Sequence, residues 1–162
     1  MKSTNDYLNE FAERRKERLL LLEEAEDDIE LQEMLRRKAR EDIGFFVNTF
    51  CWTFDPRLEA KPHHHPFILY DFQEVFLEDL EAAFRGSEDL GIEKSRDMGA
   101  SWLALSWIVH HWLFDNSFTA LVGSRKEDLV DNWEMDSLFP KVEYIIEKLP
   151  AWLSPAGWVL DK

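Results

Sequence analysis

The chain has 162 residues, of which 45% are hydrophobic and 14% aromatic, which is enough to bury one core and too apolar for a disordered protein. Its formal net charge of -14 at pH 7 repels nucleic acid at long range, so any contact with DNA must be local or depend on partners. Because Cys51 is the single cysteine and no run approaches the about 18 apolar residues of a membrane span, we expect a cytoplasmic protein without an internal disulfide or a membrane partner.

Residues 5–41 predict one long or broken helix with a charged surface. Apolar residues recur there at roughly helical spacing, among them Leu8, Leu22 and Leu35, and the segment has no proline. We interpret residues 1–44 as an N-terminal helical arm. This arm is either an extension that binds a partner or a solvated helix that caps the core.

Residues 43–52 are rich in aromatic and apolar side chains and are expected in the core. A turn at Asp55 and a proline-flanked loop with His63, His64 and His65 follow. Consecutive side chains of an extended segment point to opposite sides, so at most two of these histidines could bind one metal ion. We expect them to be exposed to solvent beside a pocket instead.

Gln73 begins a predicted helix over residues 73–84 and follows the aromatic residues Tyr70 and Phe72. Its amide offers a donor and an acceptor, as the edge of adenine requires, and either aromatic ring could stack on the base. Because Gln73 comes shortly before the motif described next, the sequence favours a role in binding the same ligand.

Residues 91–102 predict a phosphate-binding loop between a short strand and an apolar helix. Against the usual pattern Gly-x-x-x-x-Gly-Lys-Ser/Thr, Gly99 takes the second glycine and Ser101 the hydroxyl, while Ala100 stands where the lysine belongs. Lys94 replaces the first glycine, so the lysine has moved to the other end of the loop. The predicted binding residues of the loop are Lys94, Ser95, Arg96, Asp97, Met98, Gly99, Ala100 and Ser101.

These residue types suit ATP with Mg²⁺. The amides at the helix start and the helix dipole favour phosphate, and Gly99 lets the backbone approach it. Lys94 could reach phosphate oxygens, Arg96 could act on the γ-phosphate, and Ser101 could bind Mg²⁺ together with the nucleotide. An ordinary strand, turn and helix with a surface lysine and arginine is the alternative for this stretch.

Beyond the loop, residues 101–114 predict a buried helix, residues 117–123 a buried parallel strand, and Ser124 the N-cap of a further helix. Strand, loop, helix, strand and helix make a βαβ unit. This unit predicts an α/β, three-layer fold like that of P-loop NTPases, with an incomplete parallel sheet. Residues 45–162 would form the N-terminal part of such an ATPase domain.

Four segments together resemble the N-terminal ATPase domain of the terminase large subunits of tailed bacteriophages. They are Trp52-Thr53-Phe54-Asp55-Pro56-Arg57, Pro66-Phe67-Ile68-Leu69-Tyr70-Asp71-Phe72-Gln73, Lys94-Ser95-Arg96-Asp97-Met98-Gly99-Ala100-Ser101-Trp102 and Leu121-Val122-Gly123-Ser124-Arg125. The resemblance implies a phage- or prophage-encoded protein whose ATP hydrolysis packages viral DNA into a capsid. The partners implied for the full-length family are double-stranded DNA, the portal protein, the small terminase subunit and further copies in a ring.

The resemblance also implies a role for each matching residue. Gln73 would sense adenine, while Lys94 and Ser101 would bind phosphate and Mg²⁺. Arg96 would be the loop arginine that acts on the γ-phosphate, and Arg125 would face a neighbouring subunit as an arginine finger in trans. Some terminases are similar in carrying the loop lysine early, as Lys94 does here.

The acidic strand motif of the family, apolar residues followed by Asp-Glu, is not found after the loop. The nearest match is Trp158-Val159-Leu160-Asp161, with Lys162 at the position of the glutamate. We therefore expect a fragment that ends before this motif and before the nuclease domain, so that ATP binding is predicted and hydrolysis is left open. Two alternatives remain: a helicase-like ATPase of DNA metabolism, and a non-catalytic remnant that acts as an interaction module.

Overall fold

Helices dominate the architecture. The computed structural model describes residues 4–55 and 63–155. Six helices and two strands lie in these residues: α1 (Thr4–Ala25), α2 (Ile29–Glu41), α3 (Ile43–Phe50), β1 (Trp52–Phe54), β2 (His64–Pro66), α4 (Asp71–Gly86), α5 (Ala100–Phe114) and α6 (Leu138–Glu147). The two strands form an antiparallel pair in which Thr53 lies opposite His65.

The predicted α/β fold with a parallel sheet is wrong, because the described residues contain only this short antiparallel pair as a sheet. The segment before the loop and residues 117–123 form no strand; Ile92 is 46% exposed and Leu121 is fully exposed. A strand is stable only when neighbouring strands and a packed face support it, so β-forming side chains alone do not create one. The helix predicted from Ser124 is likewise reduced to a 3-10 turn at Glu127–Leu129.

The helices predicted over residues 5–41, 73–84 and 101–114 are confirmed. Residues 5–41 form two helices, because the chain leaves α1 at Ala25 and restarts at Asp28, whose carboxylate caps α2 by accepting a hydrogen bond from the amide of Leu31 at 3.0 Å. The helices predicted over residues 73–84 and 101–114 correspond to α4 and α5. No described helix combines the length and the apolar character that crossing a membrane would require.

Helix α5 lies at the centre of the core, where it packs against α3, α4 and α6. The side chains of Phe46, Leu77, Leu103 and Ile145 are almost completely buried there. Burying a side chain of this size contributes about 1.5–3 kcal/mol, so the four helices are held mainly by apolar contact.

Polar side chains of α5 add specific links to its neighbours. The carboxylate of Glu81 on α4 accepts hydrogen bonds from Trp107 Nε1 at 2.9 Å and from His111 Nε2 at 2.8 Å. Burial raises the pKa of Glu81, but the hydrogen bonds from His111 and Trp107 outweigh it, so the net pKa lies below the usual value. His110 donates from Nε2 to the carbonyl oxygen of Ala39 at 2.9 Å and thereby joins α5 to α2.

Helix α1 is attached to the rest of the chain by a buried arginine. Arg18 of α1 is 4% exposed and donates from Nη1 to the carbonyl oxygens of Cys51 at 2.7 Å and Asn48 at 3.2 Å. Its guanidinium lies 5.0 Å from the centre of the Trp52 ring. Burial lowers the pKa of Arg18 to about 10, so the side chain stays charged at neutral pH. Helix α1 is therefore fixed to the residues that end α3 and begin β1.

Replacing Arg18 by alanine is expected to lower the free energy of unfolding by about 2–4 kcal/mol, because two charge-assisted hydrogen bonds to buried carbonyl oxygens are lost. Lys16→Ala, at an exposed position of the same helix, is the matched control and should change stability by less than about 0.5 kcal/mol. Urea denaturation measures both. Equal midpoints for the two variants would refute the anchoring role of Arg18.

Stability is also expected to fall as the solution is acidified through the range where His110 titrates. Burial lowers the pKa of His110 to about 4 from an ordinary value of 6.5. The unfolded chain therefore binds a proton that the folded chain excludes, and stability is lost as the pH falls from 6.5 towards 4. His110→Gln, which keeps a donor for Ala39, should reduce this loss when unfolding free energies at both ends of the range are compared. An undiminished pH dependence in the variant would show that other groups cause it.

Candidate functional site

The loop singled out by the sequence enters α5 through two residues with left-handed backbone geometry. Asp97 has a φ of 64° and Gly99 a φ of 76°. Gly99 is the N-cap of α5 and offers no side chain to the amides of the first turn, while Leu103 already donates to the carbonyl oxygen of Gly99 at 3.0 Å. The amides at this helix start are therefore available to an anion.

Gln73 holds this loop against the start of α4. Its side chain is 5% exposed; Oε1 accepts from the amide of Tyr70 at 3.1 Å, and Nε2 donates to the carbonyl oxygen of Met98 at 3.1 Å. A Cβ atom on Gly99 would lie 2.9 Å from Gln73 Nε2. Gln73 therefore positions the loop, and its role in sensing adenine stays a prediction.

A cleft of about 1090 Å³ opens in front of the loop. This is slightly above the range of small-molecule sites, which extends to about 1000 Å³. Its walls come from α1, the strand pair, the start of α4, the loop and the residues around the start of α6. Among the lining residues from these elements are Arg15, Thr53, His65, Gln73, Lys94 and Lys141.

The charges in the cleft are nearly balanced, whereas the whole chain is strongly acidic. Three cations and four carboxylates line it: Arg15, Lys94, Lys141, Asp55, Asp97, Glu134 and Asp136. Lys141 donates to the carbonyl oxygen of Ser137 at 3.0 Å, and burial lowers its pKa. The cleft is thus a place where an anionic ligand meets local cations despite a net charge of -14 for the chain.

The structure brings most of the predicted binding residues together. Gln73, Lys94 and the loop residues from Asp97 to Ser101 line one cleft. Ser95 and Arg96 are exposed in the same loop but do not belong to the lining. Arg125 is exposed in the irregular segment after α5 and lies outside the cleft lining.

The three histidines of the proline-flanked loop, His63, His64 and His65, have different environments. His63 donates from Nδ1 to the carbonyl oxygen of Asp55 at 3.1 Å, and Nδ1 of His64 is hydrogen-bonded to the hydroxyl of Tyr144 at 2.8 Å. His65 lines the cleft, and burial followed by the charge of Arg15 lowers its pKa. The expected exposure applies to His64, whereas His63 and His65 are partly buried.

Ser101, the residue predicted to bind Mg²⁺ with the nucleotide, lies at the cleft. Ser101 lies exposed in the first turn of α5, where it borders the cleft. Within residues 4–55 and 63–155, no three His, Cys, Asp or Glu side chains come together as a metal site. The acidic candidate Trp158-Val159-Leu160-Asp161 lies outside the described residues, as do Pro56 and Arg57 of the first resembling segment.

Two cationic residues of the cleft were not predicted from the sequence. Arg15 comes from α1 and Lys141 from α6. The signal for Arg15 was present, because Leu8, Phe11 and Arg15 are spaced so that they share one face of a helix. For Lys141 the local spacing gives no such signal, because Ser137, one helical turn before it, does not line the cleft.

Comparison of the chain with protein-family models, with curated proteins and with solved structures finds no match.

Gly99→Ala is expected to lower the free energy of unfolding by about 1–2 kcal/mol, because an L-residue is strained at this φ and the new Cβ would push against Gln73. Gly91→Ala is the matched control, since a Cβ there meets no atom within 4 Å. It should leave stability unchanged or raise it by about 0.4–1 kcal/mol. Thermal and urea unfolding of the two variants measure the difference. Equal stability of the two variants would contradict the close packing of Gly99 on Gln73.

Proposed function

We propose that the cleft binds ATP with Mg²⁺ and that the loop from Lys94 to Ser101 holds the phosphates. The observation that carries the proposal is the start of α5, where uncapped amides face a cleft that also contains Lys94. Gln73 supports it, because its hydrogen bond to Met98 fixes the loop at the mouth of the cleft. This arrangement does not depend on a parallel sheet.

The physical basis is the combination of the start of α5 with Lys94 in a cleft whose lining holds three cations and four carboxylates. A helix start carries about half a positive charge, and its free amides point at a bound anion. Lys94 adds a flexible point charge that can follow the phosphate chain. Arg96, exposed in the same loop, is proposed to reach the γ-phosphate after the ligand has bound.

Mg²⁺ would arrive with the nucleotide rather than occupy a site built from protein side chains alone. Mg²⁺ keeps several waters and is commonly held by one or two protein oxygens plus substrate phosphates. The hydroxyl of Ser101 is the proposed protein ligand, since it is exposed beside the same helix start. Asp97 and Asp136 also line the cleft and can order the waters around the ion.

We further propose that the chain is the ATP-binding part of a viral DNA-packaging terminase large subunit. The support is the ordered set of four sequence segments, together with the meeting of Gln73, Lys94 and Ser101 at one cleft. In the full-length protein, ATP hydrolysis would drive DNA into the capsid in the host cytoplasm, with the portal protein, the small subunit and a ring of copies as partners. Arg125 would act on the nucleotide of a neighbouring copy.

An interaction module without nucleotide chemistry is the second candidate. It is favoured by apolar side chains that protrude into solvent after α5, where Leu121 is 100% and Trp133 is 81% exposed. The two proposals make opposite predictions for the binding of ATP. A folded sample that binds no ATP at millimolar concentration supports the interaction module.

Lys94→Ala is expected to weaken ATP binding by about tenfold or more, because a charge-assisted contact to phosphate is worth about 1.5–3 kcal/mol. Lys126→Ala, an exposed lysine outside the cleft lining, is the matched control and should bind as the unmodified chain does. Fluorescence of mant-ATP during titration measures both. Equal weakening in the two variants would indicate only a general loss of positive charge.

Adding Ala100→Lys to Lys94→Ala is expected to restore part of the lost affinity for mant-ATP. The new ammonium would stand at the usual lysine position beside the α5 amides, where it can reach the same phosphates. The control for this test is Ala100→Lys alone, which should not weaken the binding of mant-ATP. Complete absence of rescue in a correctly folded double variant would contradict the role assigned to Lys94.

A further inference from the structure

Helix α6 places a lysine beside the start of α5. The rings of Trp102, in the first turn of α5, and Tyr144 of α6 have their centres 5.8 Å apart. About one turn before Tyr144, Lys141 lies with its Nζ 5.9 Å from the centre of the Trp102 ring. Lys141 also lines the same cleft as Ala100 and Ser101. The α6 lysine is therefore a neighbour of the helix start to which the proposed function assigns the phosphates.

The ammonium of Lys141 is half-buried and can accept an anion as a further partner. Its Nζ donates to the carbonyl oxygen of Ser137 at 3.0 Å, and an ammonium has three donors, so two remain for other acceptors. The carboxylate of Asp136 favours the charged form of Lys141 but accepts a hydrogen bond from Asn132 Nδ2 at 2.9 Å. Burial is the largest influence and lowers the pKa of Lys141. A bound anion would therefore offset the cost of keeping this half-buried ammonium charged.

The loop itself has no lysine where it enters α5. Ala100 occupies the position at which the usual phosphate-binding pattern has a lysine. Lys94 lines the cleft from the other end of the loop and is exposed, so its side chain loses conformational freedom when it binds. Lys141 is already restrained by Ser137 and lies over the Trp102 ring. It offers a preorganised positive charge beside the first turn of α5.

We infer that Lys141 binds the phosphates of the nucleotide from α6 and supplies the positive charge that Ala100 cannot. This inference rests on the proposed function. The phosphates then lie between the amides at the start of α5 and the ammonium of Lys141. The bound ligand thereby joins the loop to α6, and it meets a lysine on a packed helix in addition to the exposed Lys94.

Chemical modification of lysines in the presence of magnesium tripolyphosphate tests this inference on the unmodified chain. Tripolyphosphate carries three linked phosphates, as ATP does, and no base. Mass spectrometry after limited acetylation measures the reaction rate at each lysine. We expect the ligand to slow the acetylation of Lys94 and Lys141 and to leave that of Lys148 unchanged, since Lys148 is exposed at the end of α6 and outside the cleft lining.

The two lysines of the cleft separate the two proposals. Protection of Lys94 without protection of Lys141 would overturn the role of Lys141 while the phosphate loop stands. Protection of neither lysine at millimolar ligand, in a folded sample, would overturn both proposals.

Lys141→Met is expected to weaken the calorimetric binding of magnesium tripolyphosphate by about tenfold or more, because a charge-assisted contact is lost. Methionine is flexible and packs well against aromatic rings, so the contact with Trp102 can be kept and the variant should fold. Lys148→Met on the same helix is the matched control and should bind tripolyphosphate as the unmodified chain does. Unchanged binding in Lys141→Met, or an equal loss in Lys148→Met, would overturn the inference.

Discussion

The candidate nucleotide site depends on one buried side-chain amide, that of Gln73. Gln73 joins the first turn of α4 to the loop before α5, since its two polar atoms bond Tyr70 and Met98. In a parallel sheet, strand hydrogen bonds would hold such a loop. Here a side-chain bond with a net value of about 1 kcal/mol does so, assisted by the close approach of Gly99. This contact holds Met98, between Asp97 and Gly99 of the loop, against the start of α4.

The helices around Gln73 pack against one another and are fixed by separate contacts. Helix α5 packs against α3, α4 and α6, and Trp102 in its first turn lies against Tyr144 of α6, with ring centres 5.8 Å apart. Helix α1 is attached separately through Arg14 and Arg18. The cleft therefore lies between α1, which Arg14 and Arg18 attach, and a core held by apolar contact. Its shape depends on both.

The sequence predicted α4, α5 and the long or broken helix that forms α1 and α2, because their signals are local, whereas the helix predicted from Ser124 was wrong. Apolar spacing and the Asp28 cap define α1 and α2, and the nearly continuous apolar run defines α5. The prediction of a strand at residues 117–123 was wrong. Apolar β-forming residues need neighbouring strands, and none pairs with this segment in the described part of the chain.

The strand pair and the last helix were not predicted, for different reasons. In β1, Trp52 and Phe54 favour a strand, but its partner His64–Pro66 contains no strong β-former. Helix α6 had a readable pattern in Leu138, Val142 and Ile145, and its proline is tolerated in the first turn. Of the site, the loop and Gln73 were predicted from the sequence, whereas Arg15 was not. Its spacing with Leu8 and Phe11 shows that they share one face of a helix but not where α1 docks.

The most direct measurement of the central claim is a nuclear magnetic resonance titration of the ¹⁵N-labelled chain with Mg-ATP. Amide resonances at the start of α5, from Gly99 to Trp102, and the side-chain amide of Gln73 should shift most, because phosphates would bind those donors directly. Resonances of α6 beyond Tyr144 should remain in place. Shifts confined to other regions, or none at millimolar ATP in a sample with a dispersed spectrum, would contradict a nucleotide site at this helix start.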